Sequence, residues 1–266
     1  MDAGPATAGG GIVGVMDIAT LQRLCARTWP GLEQDRLGEW ELRAAGGFTS
    51  RANSALPIGD PGLPLGDALT AVQGWYVARG LAPRLQVPSS LPTGPQQDAA
   101  AGVHELCDER GWAAEPWTAV MVRDTRSAPP VWPDPVVPAW TQAPGADWLG
   151  LYHHRGATLP EAARRVIEAA PASYLSVRAG DELLGIGRAA VAGDVVVLTA
   201  IEVLPAHRRR GLGTLITAAL ALRGAEQGAT MAALQVFAHN SAAVALYRRL
   251  GYHDHHRYRY RHLPQP

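Results

Sequence analysis

Lysine is absent from this chain: all 24 basic residues are arginine, and 24 Asp and Glu balance them to a formal net charge of zero. That balance argues against a nucleic-acid partner, which selects a strongly basic face. Cysteine is nearly absent too. Cys25 and Cys107 are too few for a disulfide scaffold or a zinc site, and reduced thiols point to the cytoplasm. No run of about eighteen apolar residues exists, so no membrane helix is expected. The opening Met1–Pro5 has neither a basic segment nor an apolar core, and no signal peptide is read there. No serine sits in a nucleophile elbow, which disfavours Ser-His-Asp hydrolysis. What is present, 47% hydrophobic against 18% charged residues, is enough to bury a core. Arginine in place of lysine, with abundant Ala and Gly, is the usage expected of a high-GC bacterial genome.

The most informative stretch is Leu198–Thr214. An apolar, β-branched strand runs to Val203 and ends at Pro205, which has no N–H for a sheet ladder. Arg208, Arg209 and Arg210 follow, then Gly211-Leu212-Gly213, and a helix whose Leu215, Ile216, Ala219 and Leu220 recur at helical spacing. Glycines at a helix start let a ligand reach bare backbone N–H groups at the positive end of the helix dipole. Flanked by arginines, such a place binds phosphate or pyrophosphate. Neither a P-loop nor a dinucleotide fingerprint is present.

Arg208-Arg-Arg-Gly-Leu-Gly213 after Val203-Leu-Pro205 resembles the acyl-CoA loop of the Gcn5-related N-acetyltransferases. A second segment strengthens the resemblance: Met231–Ala238 reads as a buried strand, followed by Asn240, Ala243, Tyr247, Gly251 and Tyr252 in the spacing N-x-x-A-x-x-x-Y-x-x-x-G-Y. The resemblance spans roughly residues 145–262. It implies acetyl-CoA as co-substrate, held by Ile201, Val203, Arg208, Arg209, Arg210, Gly211, Leu212, Gly213 and Thr214, with Asn240 beside the pantetheine arm. Tyr247 is then the candidate acid that protonates the departing thiolate. Glu202, at the strand end just before Val203, is the candidate base, with pairing to an arginine as the plainer explanation for its presence.

The N-terminal half repeats a similar order. Ile18–Trp29 reads as a helix, Trp40–Ala44 and Thr49–Leu56 as strands, and Leu65–Gly80 as a helix. A strand at Arg84–Val87, a helix ending at Gly111 and a strand at Trp117–Arg123 complete it. Leu106–Trp112 echoes Tyr247–Tyr252 as a helix ending in Gly-aromatic. The expected fold is therefore α/β with a mixed sheet: tandem acetyltransferase-like lobes, a degenerate one over 15–127 and a complete one over 146–266. All eight tryptophans lie at or before Trp148, and the proline-rich stretch 128–145 reads as an extended linker. The first lobe's counterpart of the phosphate loop, Gly59–Pro64, has no arginine and carries Asp60, so it is expected not to bind acyl-CoA.

Other polar groups divide less clearly. Arg51, Asn53 and Ser54 fit either a substrate cleft or partners for buried backbone. Arg257, Arg259 and Arg261 alternate with tyrosines and are read as one solvated strand face. The same alternation splits His253-Asp254-His255-His256 between two faces, which argues against a metal site. Cys107 is expected in the core, and His153-His154 is uninformative. Three readings remain open: an N-acetyltransferase for a primary amine, an enzyme like mycothiol synthase acting on a sugar-linked cysteine amine, and a non-catalytic acyl-CoA-binding regulator. Retention of Glu202, Tyr247 and Asn240 argues against the third.

Overall fold

The computed structural model describes residues 16–93, 98–152, 159–160 and 162–263. Met1–Pro5 and His153-His154 lie outside the described residues. The N-terminal half comprises α1 (Ile18–Arg27), β1 (Glu33–Leu37), β2 (Trp40–Ala44), α2 (Leu65–Val77), β3 (Arg84–Ser89), α3 (Val103–Glu109), β4 (Ala113–Ala114) and β5 (Thr118–Asp124). It is followed by β6 (Val136–Thr141), α4 (Ala146–Leu151), α5 (Ala162–Ile167), β7 (Ser173–Ala179), β8 (Glu182–Ala192) and β9 (Val195–Val203). The chain closes with α6 (Leu212–Glu226), β10 (Met231–Phe237), α7 (Ser241–Arg249) and β11 (His253–His262).

One nine-stranded mixed sheet runs through both halves in the order β3-β11-β5-β10-β9-β8-β7-β6, with β4 attached to β11. Neighbours are antiparallel except β9 and β10, which are parallel and joined by the crossover helix α6. The proline-rich stretch expected as a linker carries β6, the edge strand, where Pro138 is tolerated because only one side of the strand is paired. The expected strand at Thr49–Leu56 is instead a 3-10 turn over Ser50–Ala52 followed by isolated bridges at Ala55 and Leu56. Asn53 breaks it by bonding locally: its side chain accepts from the N–H groups of Ala45 and Gly47 and donates to the carbonyls of Phe48 and Thr49.

The two halves exchange strands. β3–α3–β5 and β10–α7–β11 have the same strand-helix-strand order, yet β5 pairs with β10 and β11 pairs with β3. β5 and β11 meet each other at the centre. The helix ends correspond bond for bond: Trp112 N–H donates to Cys107 O at 2.8 Å, and Tyr252 N–H to Tyr247 O at 3.0 Å. Structural equivalence therefore matches Tyr247 with Cys107, a residue away from the Leu106 that the sequence echo implies. Cys107 is fully buried, and burial pushes its thiol up to about 11.

β11 departs from the expected alternation. A bulge between Asp254 and His256 puts the rings of His255 and His256 in contact, Nδ1 to Nδ1 at 2.8 Å, and buries His256 completely. Nor are its arginines a solvated face. Arg261 is buried, donating to Asp108 and to the Trp112 carbonyl, while Arg257 and Arg259 stack on Trp117. Burial pushes His256 down from 6.5 to about 3. The unfolded chain then takes up a proton that the folded chain refuses, so His256 is expected to cost stability as pH falls from about 6.5 toward 3. Urea titrations at pH 7 and 5 check this: His256→Gln should lessen the loss, and an equal loss in the variant would assign it elsewhere.

Candidate active site

Sheet and helix create the site by a failure of pairing. β9 and β10 pair only from Val195–Leu198 to Met231–Leu234, and the remainder of each strand diverges. A wedge opens between two parallel strands at their C-terminal ends, a position at which α/β sheets bind ligands. Within it β9 is irregular. Ile186 pairs with Glu202 and Arg188 with Thr199, so Ala200 and Ile201 face the single residue Gly187, and Ala200 takes a φ of 52°. This bulge reverses the alternation. Before it, Val196 and Leu198 pack toward α6 and Val195 and Val197 toward α1; after it, Ile201 and Val203 are on the α6 side. Glu202 is thereby turned to the opposite face, shared with its cross-strand partner Ile186 and the Trp148–Tyr152–Tyr174 cluster. Plain alternation would have pointed its carboxylate into the α6 core.

The loop after β9 turns tightly into α6. Pro205–His207 forms a 3-10 turn, Arg208 ties back to the Val203 carbonyl at 3.1 Å, and Arg209 and Gly211 take φ of 65° and 81°. Among the described residues, no backbone carbonyl accepts from the N–H groups of Arg209, Arg210, Gly211, Leu212 or Gly213. They lie at the start of the 15-residue α6, its positive end. Arg208, Arg209 and Arg210 are exposed around them, Leu212 anchors the turn in the core, and Thr214 N–H closes on Gly211 O at 3.0 Å.

Tyr247 sits half-buried on α7, packed in the same cluster as Ile201, Val203 and Leu212. Burial pushes its phenol up to about 12, so it keeps its proton throughout the neutral range. Tyr247 and Glu202 thus lie on opposite faces of the sheet beside one wedge. Asn240 is exposed and caps α7, its Oδ1 accepting from Ala243 N–H at 3.2 Å.

The Glu202 face also holds a cavity of about 170 Å³ that the sequence did not announce. Arg51 and Ser50 from the N-terminal half line it with Thr118 of β5, Gln235 and Phe237 of β10, and Tyr258 and Tyr260 of β11. Arg51 Nε donates to Gln235 Oε1 at 2.9 Å, and the Tyr258 hydroxyl donates to the same oxygen at 3.1 Å. Tyr152, raised chiefly by burial, feels both the Arg51 cation and the Glu202 carboxylate, which connects cavity and carboxylate. The alternatives left open for Arg51, Asn53 and Ser54 divide: Arg51 lines the cavity, while Asn53 bonds backbone and Ser54 bonds Arg43. Only the tyrosine–arginine alternation of β11 hinted at this cavity, and nothing local said that β11 would cross to meet Arg51.

Comparison with known proteins agrees with this geometry. Residues 15–261 match the family described as "Probable histone acetyltransferase Rv0428c C-terminal". The chain is 33% identical over 252 residues to the probable histone acetyltransferase Rv0428c of Mycobacterium tuberculosis, covering 91% of this chain and 73% of that protein. This chain belongs to that acetyltransferase family. It is also 27% identical to the uncharacterized N-acetyltransferase YobR of Bacillus subtilis, covering 89% of this chain and 94% of the relative. Its fold matches a GCN5-related N-acetyltransferase from Kribbella flavida with a TM-score of 0.71 at 19% identity, over 94% of this chain and 97% of that one. The protein is therefore an acetyltransferase enzyme of the Gcn5-related superfamily. Among the described residues, no helix of this acetyltransferase is long and apolar enough to cross a membrane.

Proposed function

We propose that this acetyltransferase moves an acetyl group from acetyl-CoA to a primary amine by direct attack. The observation that carries the reading is the row of N–H groups from Arg209 to Gly213, unclaimed by backbone acceptors among the described residues and set beside the β9–β10 wedge. A pyrophosphate placed there leaves the pantetheine arm to run into the wedge, taking the place of the missing sheet partner. The thioester carbonyl accepts from a β9 N–H near Ile201–Val203. Glu202, on the acceptor face, takes a proton from the incoming ammonium, directly or through water. The amine nitrogen then forms a bond to the carbonyl carbon and gives up its second proton to water, the carbon–sulfur bond breaks, and the thiolate leaves with the pair. Tyr247, on the other face and protonated at neutral pH, gives its proton to sulfur and regains one through the water that took the proton of the nitrogen. Residues 146–266 supply this machinery, and residues 15–127 act as a degenerate second copy that completes the sheet and walls the acceptor side. The mycobacterial relative's name puts histones among the acceptors to be tried.

Coenzyme A release with a panel of amines tests the reading. Tyr247→Phe is expected to keep acetyl-CoA affinity while lowering kcat by roughly ten- to a thousand-fold. Glu202→Gln should slow the reaction most at neutral pH and less at high pH, where free amine is abundant. Full activity of Glu202→Gln at pH 7 would transfer the base role to another group.

A further inference from the structure

Among the described residues, the lining of the cavity on the Glu202 face carries one cation, Arg51, and no carboxylate. Arg51 lines it, Arg43 lies beside Arg51 in the small cavity behind, and Arg188 is near enough to repel the Arg51 cation. Arg188 is completely buried, stacked on Trp29 and Tyr174, with Nη2 on the Thr28 carbonyl at 3.0 Å and Nε and Nη1 without partners. Arg43 is 2% exposed and bonds only neutral oxygens, those of Ser54 and Gln86. Among the described residues, none of the three arginines forms an ion pair with a carboxylate. Arg51 bonds the neutral Gln235 and lies among Tyr152, Tyr258 and Tyr260, with the Arg188 cation behind it. The Tyr260 hydroxyl, buried at the cavity wall, has no hydrogen-bond partner.

A buried guanidinium without a carboxylate is unfavourable unless something else supplies the charge. Here the surplus is concentrated at one opening, about 170 Å³ in volume, large enough for a small functional group and its water. Arg51 uses Nε on Gln235, which leaves its terminal nitrogens for a forked contact of the kind carboxylates accept. Gln235 holds the guanidinium in place and Tyr258 holds Gln235, so the fork is preorganised.

We propose that the acceptor of this enzyme is a primary amine that also carries a carboxylate, and that Arg51 receives the carboxylate in this cavity while the amine reaches Glu202. This deepens the N-acetyltransferase reading and rests on it. A polyamine, or a lysine set among other cations, is disfavoured by the same field. The chain chooses its acceptor through a residue of the N-terminal half, although the acetyl-CoA loop belongs to the C-terminal half.

Matched pairs of amines test the proposal on the full-length enzyme: glutamate and glutamine, aspartate and asparagine, β-alanine and β-alaninamide, and peptides with Asp or Asn beside the reacting amine, with putrescine as the cationic case. Coenzyme A release gives kcat/KM, and calorimetry in the presence of coenzyme A gives binding. Within the pair that binds best, the carboxylate member is expected to be favoured about tenfold or more, mainly through KM. Arg51→Gln should bring that ratio to within about twofold, and Arg51→Lys, which keeps the charge and loses the fork, should fall between. Because the wild-type comparison within each pair needs no variant, a poorly folded Arg51→Gln does not spoil the test. Preference for the amide or for putrescine, a carboxylate preference that survives Arg51→Gln, or no preference in either measurement would overturn the proposal. If no amine consumes acetyl-CoA, the N-acetyltransferase reading fails, and the calorimetric ratio still decides this one.

Discussion

Removing residues 1–130 is expected to leave an insoluble or unfolded chain, even though the acetyl-CoA loop and both candidate catalytic residues remain. The cause is strand exchange. β5 pairs with β10 from Thr118–Phe237 to Asp124–Met231 and with β11 on its other side, so its loss opens a gap in the middle of the sheet. Val120 and Met121 are fully buried and Val122 is 3% exposed. At about 1.5–3 kcal/mol for each buried side chain, these three alone contribute on the order of 5–9 kcal/mol. That rivals the whole stability of an ordinary domain, about 5–15 kcal/mol. β11 would lose β3 as well. Co-expression of residues 1–130 as a separate chain should restore solubility by returning β5. Gel filtration and circular dichroism of the 131–266 fragment decide the matter: a soluble, folded monomer with the full-length rate would make the first half a passenger.

The second large effect is at the turn into α6. Gly211→Val is expected to abolish detectable acetyl-CoA binding while lowering the melting temperature by only a few degrees. Gly211 has a φ of 81° and nothing within 4 Å of where its Cβ would stand, so valine meets strain of about 1–2 kcal/mol but no neighbour. The added methyls project where a pyrophosphate must approach the N–H row. Gly62→Val is the matched control, with a φ of 72° and equally open surroundings in the Gly59–Pro64 loop of the first half. There, carboxylates already occupy the donors: Glu39 accepts from Asp60 N–H at 2.6 Å and Asp60 from Gly62 N–H at 2.8 Å. Gly62→Val should therefore bind acetyl-CoA normally, and calorimetry should count one site per chain. Two equal sites, or unchanged affinity in Gly211→Val, would remove the loop from the binding site.

The sequence by itself determined whatever depends on neighbours in the chain. Pro205, the arginines and Gly211 define a strand end, a turn and a helix start through local backbone geometry, so the loop was legible before any fold was known. Family resemblance rested on those local motifs, and the expected mixed α/β architecture followed from it. Tertiary structure alone decided the rest. Alternation along β9 gives Glu202 the wrong face, and only the bulge opposite Gly187 corrects it, because a bulge depends on the partner strand. Arg261 reads as a surface charge until Trp112 and Asp108 close over it from α3 and the turn beyond. The exchange of β5 and β11 has no signature in either strand, since a strand's pattern records which face is buried and not which neighbour it pairs with. Arg51 and Gln235 stand 184 residues apart in the chain and share one hydrogen bond, a contact that exists only because the two halves build a single sheet.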